Sequence, residues 1–139
     1  MTDFDCDLVI IGAGPAGLTA GLYAARARMD VLLLEKAVPG GQIIVTDWIE
    51  NYPGFPEGIS GFDLAEKMKN QSEEMGLKID TAEVKSLHLG TDVKEVVLAD
   101  RTIKTKSLII ASGASPKKLG IGEDRYMGKG ISTCATCDA

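Results

Sequence analysis

The sequence predicts an α/β fold built on a parallel sheet. Two observations lead there. A strand–helix–strand succession fills the first 35 residues, and a second short β-branched run, Leu108-Ile109-Ile110-Ala111, ends as the first does in a glycine-bearing turn. With 139 residues, 45% of them hydrophobic and 25% charged, the chain has the make-up of an ordinary globular unit.

In chain order, Leu8-Val9-Ile10-Ile11 reads as a strand buried on both faces, stopping at Gly12. From Pro15 to about Arg28 the chain is rich in Ala and Leu, with Leu18, Leu22 and Ala25 at helical spacing. Val31-Leu32-Leu33-Leu34 is a second buried strand ending at Glu35, which completes a βαβ unit. Pro39 to Gly61 is a long Gly- and Pro-dense connection, a length that points to function. Ser60 then caps a helix with Asp63 in its first turn, Leu64, Met68 and Met75 on one face, and Gly76 as terminator. Ala82–Leu89, Val93–Ala99 and Arg101–Thr105 predict a three-stranded meander. Leu108–Ala111 follows as a separate buried strand. After Pro116 the sequence turns Gly- and Lys-rich, so residues 1–115 and 116–139 are expected to belong to two domains.

A formal charge of −5 argues against a nucleic-acid or anionic-membrane surface. The acidic N-terminus lacks the basic region of a secretory signal, and Leu8–Ile11 is too short to span a bilayer. A cytoplasmic protein is expected.

Gly12-Ala13-Gly14-Pro15-Ala16-Gly17 is a GxGxxG lying between a predicted strand and a predicted helix, the context the motif requires. Gly12 permits the tight turn, Gly14 lets a pyrophosphate approach the helix N-terminus, and Gly17 lets helix and strand pack closely. Glu35, eighteen positions after Gly17, would accept hydrogen bonds from ribose hydroxyls and repel a 2′-phosphate. The motif therefore predicts a Rossmann-like domain binding FAD or NAD, and leaves the choice open.

Of the three cysteines, Cys134 and Cys137 form Cys-Ala-Thr-Cys, followed by Asp138. Two thiols so spaced can close a small reducible ring, and the adjacent acid can return a proton to a departing thiolate. Zinc would need four ligands, and the remaining chain offers only Cys6, His88 and acids. No metal site is expected. Cys6 reads as a small buried side chain, His88 as structural, and Trp48 and Tyr52 as core packing.

Several segments taken together resemble the low-molecular-weight thioredoxin reductases, a branch of the FAD-dependent pyridine nucleotide–disulfide oxidoreductases. They are Glu35-Lys36-Ala37-Val38-Pro39-Gly40-Gly41-Gln42, Glu50-Asn51-Tyr52-Pro53-Gly54, Ala111-Ser112-Gly113-Ala114 and Cys134-Ala135-Thr136-Cys137-Asp138. The match runs along the whole chain, and the cysteine pentapeptide is its most specific part. Ser112 stands where the family more often has Thr, and Ala139 where it usually has Gly.

The resemblance implies bound FAD, with NADPH as reductant held by residues beyond 139. Its expected contacts are Gly12, Gly14, Pro15, Ala16, Gly17, Glu35, Lys36, Gly40, Gly41, Gln42, Asn51, Val84, Ala111, Ser112 and Gly113. It further implies that Cys137 faces the flavin, that Cys134 exchanges with a protein disulfide, and that Asp138 is the acid. The implied partner is thioredoxin or a thioredoxin-like protein, and the implied assembly a homodimer. Open alternatives are another donor such as ferredoxin, another dithiol substrate, or a fragment that binds FAD without turnover.

Overall fold

The computed structural model describes residues 3–127 and 129–132. Three parallel strands and a crossover helix come first: β1 (Cys6–Ile11), α1 (Pro15–Arg26), β2 (Val31–Glu35) and, after α2 (Gly61–Glu74), β3 (Lys78–Thr81). β4 (Ser86–Leu89), β5 (Lys94–Val97) and β6 (Thr102–Ile110) follow. All six strands form one sheet in the order β3-β2-β1-β6-β5-β4. β1 pairs in parallel with β2 and β6, β2 with β3, while β5 runs antiparallel to both neighbours.

Alternation along the strands divides the core. Leu8 and Ile10 of β1 and Val31 and Leu33 of β2 face Leu18 and Ala24 of α1, with Met68 of α2 packed alongside. On the opposite face Val9 and Leu34 meet Val96, Leu98 and Ile103 from the meander. A strand buried on both sides has no polar face to show, which is why both runs are continuously apolar. Buried Ser72 on α2 donates to the carbonyls of Leu18 (3.2 Å) and Met68 (2.8 Å), tying the two helices together.

Helix limits follow local chemistry. α1 begins at Pro15, whose fixed φ suits the first helical position, and ends at Arg26, just before Arg28 turns left-handed at φ 59°. Ser60 caps α2 by accepting the Asp63 N–H at 3.0 Å. Gly76 follows its end with φ 97°.

Several expectations need correction. Arg101–Thr105 and Leu108–Ala111 are one nine-residue strand, β6, because Lys106 and Ser107 do not break it. Ser107 donates to the Asp7 carbonyl at 2.8 Å, and Lys106 pairs with the Asp7 carboxylate at 2.6 Å. The end of β6 is not buried: Ile109 and Ile110 are exposed, Ile110 by 62%. The short edge strand β3 was unforeseen, since Lys-Ile-Asp-Thr offers one apolar residue. Ala82 and Val84 pack into the core from the loop before β4, not from within a strand. Met75 caps α2 and is exposed, so of the three expected face residues only Leu64 and Met68 pack inward, beside buried Ala65 and Ser72. Trp48 and Tyr52 are surface residues, 55% and 40% exposed. His88 is exposed on β4. Cys6 is buried, and burial pushes its thiol up.

Among the described residues no helix is long and apolar enough to cross a membrane, and no cluster of His, Cys, Asp and Glu could hold a metal ion.

Candidate dinucleotide site

From β1 the chain steps outward through β2 to β3 on one side, then returns to β6 on the other. The C-terminal ends of β1 and β6 therefore bound a topological switch point, where open α/β sheets bind ligands. Three strand ends meet there. β1 delivers Gly12, β2 delivers Glu35, and β6 delivers Ala111.

Backbone contact builds the floor. Gly12 has φ 102°, its N–H donates to the Leu34 carbonyl at 2.8 Å, and a Cβ there would lie 2.8 Å from the Ala111 carbonyl carbon. A Cβ on Gly17 would overlap the Gly12 carbonyl oxygen. Gly17 is thus needed for packing, as its spacing predicts, and Gly12 for packing in addition to the tight turn expected of it. Gly14 is different: a Cβ there would meet only Gly41 Cα, at 3.9 Å, an ordinary contact with no overlap. Gly14 caps α1 without a side-chain hydrogen bond, and the first turn has no acid. The positive end of a twelve-residue helix is left without a side-chain partner.

Glu35 is half-buried at the end of β2. Oε2 accepts the Ala13 N–H at 2.8 Å and Oε1 the Ala37 N–H at 3.0 Å. Each oxygen keeps a further acceptor direction, enough for two ribose hydroxyls. Lys36 beside it is exposed.

Gly40 donates to the Ala13 carbonyl at 2.7 Å and so folds the Gly40-Gly41-Gln42 turn onto the glycine loop. A Cβ on Gly41 would lie 3.1 Å from Gly14 Cα. The Gln42 amide donates to the Ala114 carbonyl, joining this turn to the end of β6. Ser112 and Gly113 lie exposed just before it. Pro15 and Ala16 open α1. Val84 is half-buried against the second core face. Asn51 is exposed on the loop that the Ile49–Ile59 bridge closes. Cys134, Cys137 and Asp138 lie outside the described residues.

Ala13 was missed by sequence reasoning. It is fully buried, and its N–H and C=O bind Glu35 and Gly40 respectively. As the variable position of a glycine motif it gives no compositional signal; only the geometry reveals it as the joint of the loop.

Glycine loop, acidic strand end and second strand end at a switch point define a dinucleotide-binding α/β unit. The chain belongs to the pyridine nucleotide-disulphide oxidoreductase family, a family of flavoprotein oxidoreductases whose model matches residues 6–139. It is 45% identical over 133 residues to the thioredoxin reductase of Listeria monocytogenes, covering 95% of this chain and 41% of that one. Among solved structures it is similar to Lactococcus lactis thioredoxin reductase, with 47% identity, a TM-score of 0.82, and 96% of this chain against 44% of that one. A ferredoxin-flavin thioredoxin reductase from Clostridium acetobutylicum is 34% identical with a TM-score of 0.76, over 99% of this chain and 47% of that one. The chain thus spans less than half the length of these relatives.

Proposed function

We propose that this chain is the FAD-binding and thiol-bearing portion of a thioredoxin reductase. It would pass electrons from NADPH through FAD and the Cys134–Cys137 disulfide to oxidised thioredoxin. The observation that supports this most is the coincidence of the glycine loop and Glu35 with a Cys-Ala-Thr-Cys-Asp sequence in one chain similar to thioredoxin reductases. When bound, the flavin supplies the two-electron step between a nicotinamide and a disulfide.

The chain's own residues do the rest. The α1 N-terminus takes the pyrophosphate and Glu35 the adenosine ribose. Gly40, Gly41, Gln42 and Asn51, with the Ala111-Ser112-Gly113 strand end, would hold the flavin and its ribityl chain, and the backbone at Val84 would hold adenine. Two electrons open the Cys134–Cys137 disulfide. The Cys134 thiolate attacks one sulfur of the substrate disulfide, and the sulfur that leaves takes a proton from Asp138. Cys137 then attacks Cys134 in the mixed disulfide, closing the ring and freeing the second substrate thiol. Residues 1–115 belong to the FAD domain and 116–139 open the NADPH domain. The protein works as a cytoplasmic homodimer.

The test is steady-state thioredoxin reduction by the complete protein and its cysteine variants. Cys134→Ser and Cys137→Ser each abolish it, and Cys137→Ser still traps a single-cysteine thioredoxin as a mixed disulfide. Near-normal turnover by both variants would falsify the assignment. Ferredoxin as donor is the second reading, favoured by the likeness to the clostridial enzyme; reduction of the flavin by ferredoxin and not by NADPH would select it.

A further inference from the structure

The glycine at the head of α2 stands there against helix propensity. Gly61 is the buried first residue of that helix, and no left-handed φ requires glycine there. Alanine is the better helix former. Space is what excludes a side chain. A Cβ on Gly61 would overlap the Ile43 carbonyl oxygen and lie 2.8 Å from the Thr46 carbonyl oxygen. The Gly61 N–H donates to that Thr46 carbonyl at 3.0 Å, and the Thr46 N–H donates to the Ile43 carbonyl, also at 3.0 Å.

Ile43 belongs to a short 3₁₀ helix, Gly41–Val45, which follows directly on Gly40. The start of this turn meets the glycine loop: Gly40 donates to the Ala13 carbonyl, and Gly41 stands against Gly14. One helical turn beyond Gly61, Ala65 closes on the same segment, since a Cβ on Gly40 would lie 2.7 Å from the Ala65 Cβ. The turn is therefore held between α2 and the glycine loop, with backbone against backbone at both ends. A side chain at position 61 must displace Ile43, two residues from Gly41, and close packing transmits such a shift.

We propose that Gly61 is a positioning residue for the cofactor. By admitting α2 onto the Ile43 carbonyl it sets where the Gly40–Gln42 turn stands against the glycine loop, and so how well the loop takes FAD. This rests on the reading of that loop as the FAD site. The turn would touch the dinucleotide; Gly61 acts only through it.

The experiment measures FAD binding to the deflavinated complete protein by calorimetry, for the parent, Gly61→Ala and Gly76→Ala. Gly76, past the far end of α2, has φ 97° and nothing near a Cβ, so alanine there strains the same helix without touching the turn. Gly76→Ala should lower the urea midpoint yet bind FAD within about twofold of the parent, whereas Gly61→Ala should bind it about tenfold or more weakly. A second measurement uses the parent alone and decides the matter if Gly61→Ala does not fold. If contact and cofactor are coupled, FAD must steady the contact as much as the contact favours FAD. Adding FAD should therefore slow hydrogen exchange at the Gly61 amide at least about fivefold more than at the Gly76 amide, which is bonded to the Glu73 carbonyl at 2.9 Å. Equal FAD affinity in Gly61→Ala and the parent, or equal protection of the two amides, overturns the role of Gly61 alone. A parent that binds no FAD overturns the cofactor reading itself, and this role with it.

Discussion

Glu35 is held by the fold on both of its oxygens. Its two oxygens already hold the N–H groups of Ala13 and Ala37, so the carboxylate is fixed before any ribose arrives. Replacing it by Gln keeps one acceptor and sets an N–H against a backbone donor. FAD binding to Glu35→Gln, measured by calorimetry on the deflavinated complete protein, should weaken by about 1–3 kcal/mol, as expected for losing a charged acceptor. Unchanged affinity would mean that the ribose is held elsewhere.

At the scale of elements, α2 depends on its first turn. The Ser60 hydroxyl accepts the Asp63 N–H at 3.0 Å and donates to the Asp63 carboxylate at 2.7 Å. Ser60→Ala should cost about 1 kcal/mol, read as a lower urea midpoint with an unchanged slope. This helix, α1, β1 and β2 were legible in the sequence because each has a period and a punctuation mark of its own. So were the turn at Gly12 and the close approach at Gly17, which follow from spacing. What could not be read was whatever depends on neighbours. β3 exists because β2 offers it an edge, Lys106 and Ser107 stay in β6 because Asp7 binds both, and Ala13 matters through partners 22 and 27 positions away. Ile109 and Ile110 have the composition of a buried strand, but burial belongs to what packs over them.

Over the whole molecule, acid is the informative stress. Lys106 holds the Asp7 carboxyl below its ordinary value, Lys85 does the same for Glu83, and backbone amides do so for Glu123. A carboxyl whose folded pKa is depressed binds protons more readily when unfolded. Its contribution is therefore complete above the ordinary carboxylate range and is lost as pH falls through the depressed values. Urea midpoints should hold steady from neutral pH down to that range and then drop. Asp7→Asn should start lower at neutral pH and drop less, and added salt should shrink the difference, since Asp7 and Lys106 are both partly exposed. A midpoint that rises on acidification contradicts this.

The pairing of β1 with β6 also sets a timetable. Cys6 lies opposite Thr105, and Ile11 opposite Ile110, so the strand that opens the chain waits for one made about a hundred residues later. Gly12 reaches its packed turn only against Ala111. During synthesis, at roughly 5–20 residues per second, the glycine loop can be complete in sequence for many seconds before its floor exists. The closure is also the most expensive in loop entropy, which places it late in folding. A nascent chain released before Ala111 has all the glycines of the motif but not the strand end against which Gly12 packs.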